Sequence, residues 1–201
     1  MNEPEDTTRL NKYLALHRGL SRRSADELIE KGIVTINGNP AIIGSRVASG
    51  DEVAVNGVTI SDDTKMMYVA LHKPVGYVCS RRAQGDSPTI YDLLPPNLYS
   101  LKPVGRLDRD SSGIILLTND GDFALQMTHP RYAKIKRYIV TLDHALEPLH
   151  QQMISDFGVE LDDGKSQLTL ERLDDERKEW VVTMGEGRNR QIRRTVMRRW
   201  L

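Results

Sequence analysis

The apolar segments after residue 66 are short, rich in β-branched residues, and separated by turns rather than by long helices. The patterns of strands occur at Tyr68–Leu71, Ile114–Thr118, Tyr138–Leu142, Leu168–Leu170 and Trp180–Thr183. Helical patterns occur at Asp122–Met127 and Leu146–Ile154. A doubly wound parallel sheet requires helices that alternate regularly with strands. The spacing therefore predicts an α+β fold, with a mixed, mainly antiparallel sheet and flanking helices.

Residues 9–60 have the pattern of a separate small unit, in which two helices precede hairpins. Ser21 is suited to cap the second helix, which Gly32 would end. Ser24 and Glu27 also fit a capping box, so a start one turn later stays open. The first helix presents three apolar side chains on one face: Leu10, Tyr13 and Leu14. Asn-Gly pairs, which are typical of tight hairpin turns, occur at 37–38 and 56–57.

Length and composition narrow the class of protein. The chain has 201 residues, of which 39% are hydrophobic, enough for a small and a medium domain. Cys79 is the only cysteine, which excludes an intrachain disulfide and a cysteine-cluster metal site. The acidic start is unlike a secretory signal, and no apolar run approaches the roughly 20 residues that span a bilayer. We expect a cytoplasmic protein without a membrane segment.

These observations predict a domain order. We expect a flexible tail at residues 1–8, the two-helix module at 9–60, a polar linker at 61–66 and a larger domain at 67–201.

The charge is balanced overall but not evenly distributed. There are 28 basic and 28 acidic residues, whereas the segment 188–199 holds arginines without an acid among them. They are Arg188, Arg190, Arg193, Arg194, Arg198 and Arg199. Such a face is suited to RNA phosphates, and we assign Arg188 and Arg190 to RNA binding. A solvated helix face is the alternative.

The charged run from Gly105 to Gly113 leads directly into an apolar strand, so its side chains lie at the rim of a rigid sheet. Asp108 and Asp110 point the same way if the backbone is extended, and do not if it turns. Paired carboxylates occur in glycoside hydrolases. With 5% aromatic residues, however, the chain shows no platform for a sugar.

The N-terminal module resembles the alpha-L RNA-binding motif, which is named for a small-subunit ribosomal protein. The matching segments are Arg9-Leu10-Asn11-Lys12-Tyr13, Ser21-Arg22-Arg23-Ser24-Ala25 and Gly32-x-Val34-x-x-Asn37-Gly38. The resemblance implies that Arg9, Lys12, Arg22 and Arg23 face structured RNA, where such side chains suit backbone contacts. A small protein–protein adaptor is the alternative.

The larger domain resembles the pseudouridine synthases that modify ribosomal RNA, in the group with an N-terminal alpha-L module. The matching segments, in order, are Leu71-His72-Lys73-Pro74-x-Gly76-Tyr77-x-x-Ser80, Gly105-Arg106-Leu107-Asp108-x-x-Ser111-x-Gly113 running into Leu116–Gly121, Lys136-x-Tyr138-x-Val140, and Glu186-Gly187-Arg188-Asn189-Arg190-Gln191-Ile192-Arg193-Arg194. Their joint order is far more specific than any one of them.

The resemblance implies a role for each matching residue. Asp108 is the essential catalytic aspartate, Tyr138 stacks on the target base, and Arg193 keeps Asp108 ionised and oriented. Arg106 holds the flipped-out conformation, a task suited to a planar cation with several donors. The other implied substrate contacts are Ile192, packed beside the tyrosine, and the basic residues Lys73 and Lys136.

The implied activity is a cofactor-free and metal-free isomerisation of uridine to pseudouridine in ribosomal RNA, after the base has flipped out of its stack. The segment from Gly187 to Gln191 favours large-subunit RNA. We expect a monomer that binds ribosomal RNA or a ribosome-assembly intermediate. The alternative is a non-catalytic RNA- or ribosome-binding protein.

The sequence departs from the family pattern in four places. His72, Ser111 and Thr195 replace other usual residues. Family members continue past the arginine-rich helix, so we expect the domain at 67–201 to lack its last C-terminal element.

Overall fold

The computed structural model describes residues 7–82 and 84–197. The chain forms two compact units, of which the first ends at Leu125 and the second begins at Gln126. Neighbouring strands within each sheet are antiparallel, and a parallel pairing occurs in the isolated bridge between Val78 and Thr89. The predicted α+β fold with a mixed, mainly antiparallel sheet is confirmed.

The first unit starts with the two helices and short strands predicted for the N-terminal module. These elements are β1 (Thr7–Arg9), α1 (Leu10–His17), α2 (Arg22–Glu30), β2 (Val34–Ile36), β3 (Asn39–Pro40), β4 (Arg46–Ala48), β5 (Val53–Val55) and β6 (Val58–Thr59). β1 pairs with β4, and the other strands form a sheet in the order β3-β2-β5-β6. Thr7 and Thr8, which the sequence placed in a tail, pair with Ala48 and Val47.

Local signals set the boundaries of this module. The Ser21 side chain accepts a hydrogen bond from the Ser24 backbone N–H at 2.9 Å, so α2 starts at Arg22 rather than one turn later. Both Asn-Gly pairs have positive φ angles, +51° and +78° at residues 37–38 and +51° and +74° at 56–57, as a type I′ hairpin turn requires. The fully buried centre of the module contains Leu10, Leu14, Ala25, Val34 and Val53.

A three-stranded sheet completes the first unit. Its strands β7 (Tyr68–Lys73), β8 (Lys102–Val104) and β9 (Gly113–Thr118) lie in the order β7-β9-β8. Lys73 pairs with Gly113, and Val104 pairs with Leu116. The segment 105–112 therefore joins two paired strands. Short 3₁₀ helices at Ile90–Leu93 and Pro96–Leu98 help to cover a core of Ile90, Leu94, Leu101 and Leu117.

Helix α3 (Gly121–Thr128) follows β9, and Asp120 caps its first turn. The Asp120 carboxylate accepts hydrogen bonds from the backbone N–H groups of Asp122 and Phe123, both at 3.0 Å. It also accepts one from the Tyr68 hydroxyl at 2.7 Å. The Phe123 N–H and then the Tyr68 hydroxyl are the main causes that lower the pKa of Asp120.

Replacing Asp120 by Ala should lower the free energy of unfolding by about 1–2 kcal/mol near neutral pH, because the cap is lost. Asp120→Asn keeps a hydrogen-bond acceptor, so it should lower the free energy of unfolding by only a few tenths of a kcal/mol. Since the folded-state pKa lies below the unfolded value, the stabilisation is present above about pH 4 and is lost as the pH falls through the folded pKa. In urea titrations, the difference in free energy of unfolding between wild type and Asp120→Ala should decrease as the pH falls. A difference that does not change with pH would contradict this prediction.

The second unit contains its own sheet and a separate hairpin. Its elements are β10 (Lys136–Thr141), α4 (Pro148–Gln152), a π-helical turn (Met153–Phe157), β11 (Val159–Leu161), β12 (Gly164–Ser166), β13 (Thr169–Arg172), β14 (Glu179–Met184) and α5 (Gln191–Met197). The sheet order is β10-β14-β13, and β11 pairs with β12. Its core surrounds Trp180, whose indole N–H donates to the Arg177 carbonyl at 2.9 Å.

The helix predicted from Leu146 begins two residues later, at Pro148, because the fixed φ of proline suits the first helical position. After Gln152 it continues as the π-helical turn. Within the described residues, none of the helices has both the length and the apolar character that crossing a membrane requires.

Candidate active site

Asp108 lies in a turn on the loop between β8 and β9. The backbone bends at Gly105, with a φ of +80°, and at Gly113, with a φ of +134°, values that favour glycine. The Asp108 carbonyl accepts the Ser111 N–H at 3.1 Å, which closes the turn. Asp108 is half-buried and Asp110 is exposed. The extended arrangement, which would point both carboxylates the same way, is therefore not the one adopted.

The segment that follows β7 forms hydrogen bonds with the loop that carries Asp108. The Gly76 N–H donates to the Arg109 carbonyl at 2.8 Å, and the Leu107 N–H lies 3.4 Å from the Cys79 sulfur. These two contacts flank Asp108 in the chain. The structure thus brings together the first two segments of the family resemblance, and it restricts the backbone on both sides of the candidate catalytic residue.

Lys73 is fully buried at the end of β7, beneath the same loop. Its ammonium donates to the Pro74 carbonyl at 2.8 Å and to the Arg109 carbonyl at 3.4 Å. Burial lowers the pKa of Lys73, and the neighbouring Cys79, Asp110 and Asp108 oppose that shift. The resemblance implied a substrate contact for Lys73, whereas its ammonium here contacts backbone carbonyls of the chain. In this structure Lys73 fastens the Asp108 loop to β7.

Arg106 is exposed on the Asp108 loop, and the remaining catalytic candidates belong to the second unit. Tyr138 on β10 and Ile192 on α5 are both half-buried and pack against the core around Trp180. They therefore share one apolar cluster, in keeping with an apolar residue beside the tyrosine. Arg193, next to Ile192 on α5, is half-buried as well.

The Lys136 side chain contacts the loop between β14 and α5. The Lys136 ammonium lies beside Gly187, where a Cβ atom would come within 2.7 Å of it. Lys136 pairs with Met184 at the end of β14. The ammonium therefore lies just before the arginine-rich segment, on the edge strand that also carries Tyr138.

Arg188, which was predicted to contact RNA, and Arg194 both bind the turn of the β11–β12 hairpin. Arg188 donates to the Asp163 carboxylate at 3.0 Å and to the Gly164 and Lys165 carbonyls, both at 2.8 Å. Arg194 donates to both Asp163 carboxylate oxygens, at 3.0 and 2.7 Å. The hydrogen bond from Arg194 is the chief cause that lowers the pKa of Asp163. In this structure Arg188 holds the β11–β12 hairpin, and its assignment to RNA binding stays a prediction.

Other predicted RNA contacts are at the surface. Arg190 is exposed and has a φ of +46°, which is uncommon for a residue with a side chain. Arg9, Arg22 and Arg23 are exposed on β1 and α2. Lys12, by contrast, forms an ion pair with Asp122. Arg198 and Arg199 lie outside the described residues.

A buried polar network fixes α5 on the hairpin. The Gln191 amide donates to the Ser166 hydroxyl at 3.1 Å and to the Glu186 carboxylate at 2.5 Å. The Thr195 hydroxyl lies 2.8 Å from both the Ser166 hydroxyl and the Gln191 carbonyl. Thr195 is one of the departures from the family pattern, and Ser166 accommodates it by supplying a polar partner. Because α5 carries Ile192 and Arg193, this network also sets their position.

Thr195→Val should lower the free energy of unfolding by about 1–3 kcal/mol, because Ser166 keeps its buried hydroxyl but loses a partner. The double variant Thr195→Val with Ser166→Ala should lose less free energy of unfolding than the two single variants lose together, because both remove the same interaction. Urea titrations measure these losses. Strict additivity would show that the two hydroxyls do not interact.

Comparison with known families agrees with this organisation. A family model described as RNA pseudouridylate synthase matches residues 67–197, and one described as S4 domain matches residues 8–53. The "Ribosomal small subunit pseudouridine synthase A" of Pasteurella multocida is 37% identical over 191 residues, which cover 92% of this chain and 81% of that protein. The "Ribosomal large subunit pseudouridine synthase B" of Bacillus subtilis is 35% identical over 196 residues, which cover 92% of this chain and 78% of that protein.

A solved structure is also similar. A crystal structure titled as a pseudouridylate synthase aligns with a TM-score of 0.63 and 33% sequence identity, and covers 94% of this chain and 82% of that one. The fold and the matched segments define an RNA-modifying isomerase with an RNA-binding module at its N-terminus. This chain belongs to the RNA pseudouridylate synthase family, with an S4 domain before the synthase region.

Proposed function

We propose that this chain converts a specific uridine of ribosomal RNA to pseudouridine, with Asp108 as the essential catalytic residue. The observation that carries the proposal is the Asp108 turn, whose backbone is held by Gly76, Cys79 and the buried Lys73. A carboxylate on so restricted a loop is preorganised for attack on one atom of a bound substrate. The relatives named for ribosomal subunits support ribosomal RNA as the substrate class.

In this proposal the target nucleotide flips into the site, at a cost of a few kcal/mol of unstacking. The Asp108 carboxylate then acts on the ribose, either by attack at C1′ or as a base. Direct attack would resemble a retaining glycosidase. The bond between C1′ and uracil N1 breaks, the uracil rotates, and a bond forms between C1′ and C5. The C5 proton leaves and N1 takes up a proton. On direct attack, the ester bond between Asp108 and C1′ breaks as the bond between C1′ and C5 forms. If Asp108 acts as a base, it returns the proton that it took from the ribose.

The other candidates have supporting parts in this proposal. Tyr138 stacks on the uracil and assists removal of the C5 proton, with Ile192 beside it. Arg106 holds the flipped conformation, and Arg193 is the proposed cationic partner of Asp108. Lys136 contacts the RNA near the target. The exposed arginines on β1 and α2, together with Arg190, contact the backbone of structured RNA.

The proposed partner is ribosomal RNA or a ribosome-assembly intermediate in the cytoplasm, bound by a monomer. Large-subunit RNA is favoured because of the segment from Gly187 to Gln191. Since the relatives are named for both subunits, the test includes both RNAs.

The experiment incubates the purified chain with small- and large-subunit ribosomal RNA from a strain that lacks the activity, and maps new pseudouridines by carbodiimide modification and primer extension. We expect a new pseudouridine at one or a few positions, absent with Asp108→Asn. Tight RNA binding without product would favour the non-catalytic alternative. Unchanged product with Asp108→Asn would overturn the assignment of Asp108.

A further inference from the structure

Helix α1 of the S4 module contacts the β7–β9 region of the first unit, by which we mean residues 67–125. The Lys12 ammonium lies 2.8 and 2.6 Å from the two carboxylate oxygens of Asp122, in the first turn of α3. This is the residue that the resemblance assigned to RNA. Here its ammonium already binds a carboxylate, which an RNA phosphate would have to displace.

The loop after α1 makes a second contact with this region. The Leu20 carbonyl accepts a hydrogen bond from the Lys102 ammonium of β8 at 2.9 Å. Burial, followed by the charges of Arg81 and Arg22, lowers the pKa of Lys102. Gly19 has a φ of +65°, and a Cβ on it would lie 3.3 Å from the Ser100 Cβ. The backbone at Gly19 thus approaches the β7–β9 region closely.

The segment 61–67, predicted as a linker up to residue 66, makes a third set of contacts. On the side of α1, the Tyr13 hydroxyl donates to Asp62, and His17 Nδ1 lies 3.0 Å from the Thr64 hydroxyl. Burial and then the hydrogen bond to Asp62 raise the pKa of Tyr13. The segment is therefore tied to the S4 module near its start.

Near its end, the same segment is tied to the β7–β9 region. The Asn119 side chain donates to the Lys65 carbonyl and accepts the Met67 N–H, both at 2.8 Å. The Thr118 hydroxyl donates to the Met67 carbonyl at 2.6 Å. The segment 61–67 is therefore held by hydrogen bonds to both the S4 module and the β7–β9 region, and is not a free linker.

We propose that these contacts dock the S4 module at a fixed distance from the Asp108 loop, and that this distance helps to select the target uridine. In this proposal Lys12 docks the S4 module and does not contact RNA. Arg22 and Arg23 of α2 contact the RNA, at a fixed distance from Asp108. The RNA recognised is one that presents a structured backbone element at that separation from the target. This inference rests on the proposed function.

The test is a charge exchange. In Asp122→Lys, repulsion between the two lysines should undock α1. The ratio of target to non-target pseudouridines should then fall by roughly three- to tenfold. This is the size expected when an exposed ion pair is replaced by a pair of like charges. The double variant Lys12→Asp with Asp122→Lys should restore the ratio. If Lys12 were an RNA contact, Asp122→Lys would tighten RNA binding, and the double variant would remain impaired.

A second readout needs no RNA. Amide hydrogen exchange at residues 61–67 should be faster in Asp122→Lys and return to the wild-type rate in the double variant. Glu30→Lys, which reverses an exposed charge on α2, is the matched control for the exchange measurement and should leave it unchanged.

The possible failures are distinguishable. Absence of pseudouridine with the wild type would contradict the proposed function. An active wild type whose target ratio and exchange rates are unaffected by Asp122→Lys would overturn the docking inference alone.

Discussion

Asp108→Asn should reduce kcat for pseudouridine formation by at least about 10³-fold, because an amide neither attacks C1′ nor accepts a proton as a carboxylate does. The side chains have nearly the same size, and Asp108 is only half-buried, so the fold should be unaffected. Release of tritium from RNA labelled at C5 of uridine measures the rate. Circular dichroism and urea titration check that the variant remains folded.

Asp110→Asn is the matched control, because it changes the same group two residues later on the same turn. Asp110 is exposed, and the turn does not orient it with Asp108. We expect a loss of less than about fivefold, in line with an indirect electrostatic effect. Equal loss in the two variants would assign catalysis to the pair rather than to Asp108.

Lys73→Met should reduce kcat by roughly 10- to 100-fold, because small displacements of a reacting group carry penalties of this size. The substitution keeps most of the buried volume but leaves the Pro74 and Arg109 carbonyls without the ammonium. The free energy of unfolding should fall by about 1–3 kcal/mol for the same reason. Steady-state kinetics and urea titration measure the two effects.

The kinetics of Lys73→Met also separate two roles for the lysine. If it fastens the loop, KM and the salt dependence of RNA binding should be unchanged. If it binds a phosphate, KM should rise and the salt slope should fall by about one. Lys31→Met, which removes an exposed lysine from the same unit, controls for the loss of one positive charge.

Much of the fold was predictable because its signals are local. The Ser21 cap and the two Asn-Gly turns depend on neighbours in the chain, and the structure has them where the sequence placed them. The start of α4 was displaced by two residues, although the proline at position 148 indicated it. Local rules therefore identified the elements and left their ends less certain.

The partners of the charged residues were less predictable, because they are distant in sequence. Arg194 has no acid nearby in the chain, and Arg188 has only Glu186, two residues before it. Folding brings Asp163 to both arginines. Lys73 has the appearance of a surface lysine in a turn. One signal was present, since Lys73 continues the inward-facing alternation of Val69 and Leu71 on β7. The catalytic roles were implied by the joint order of four segments, which no local rule supplies.

The burial of Lys73 makes it a natural reporter of loop motion. An amine-acylating reagent modifies only those lysines that it can reach, and Lys73 has no accessible surface while the Asp108 loop is closed. Its labelling therefore requires a local opening. The rate at which mass spectrometry detects acylated Lys73 would measure how often the Asp108 loop leaves the arrangement seen here, with and without RNA bound.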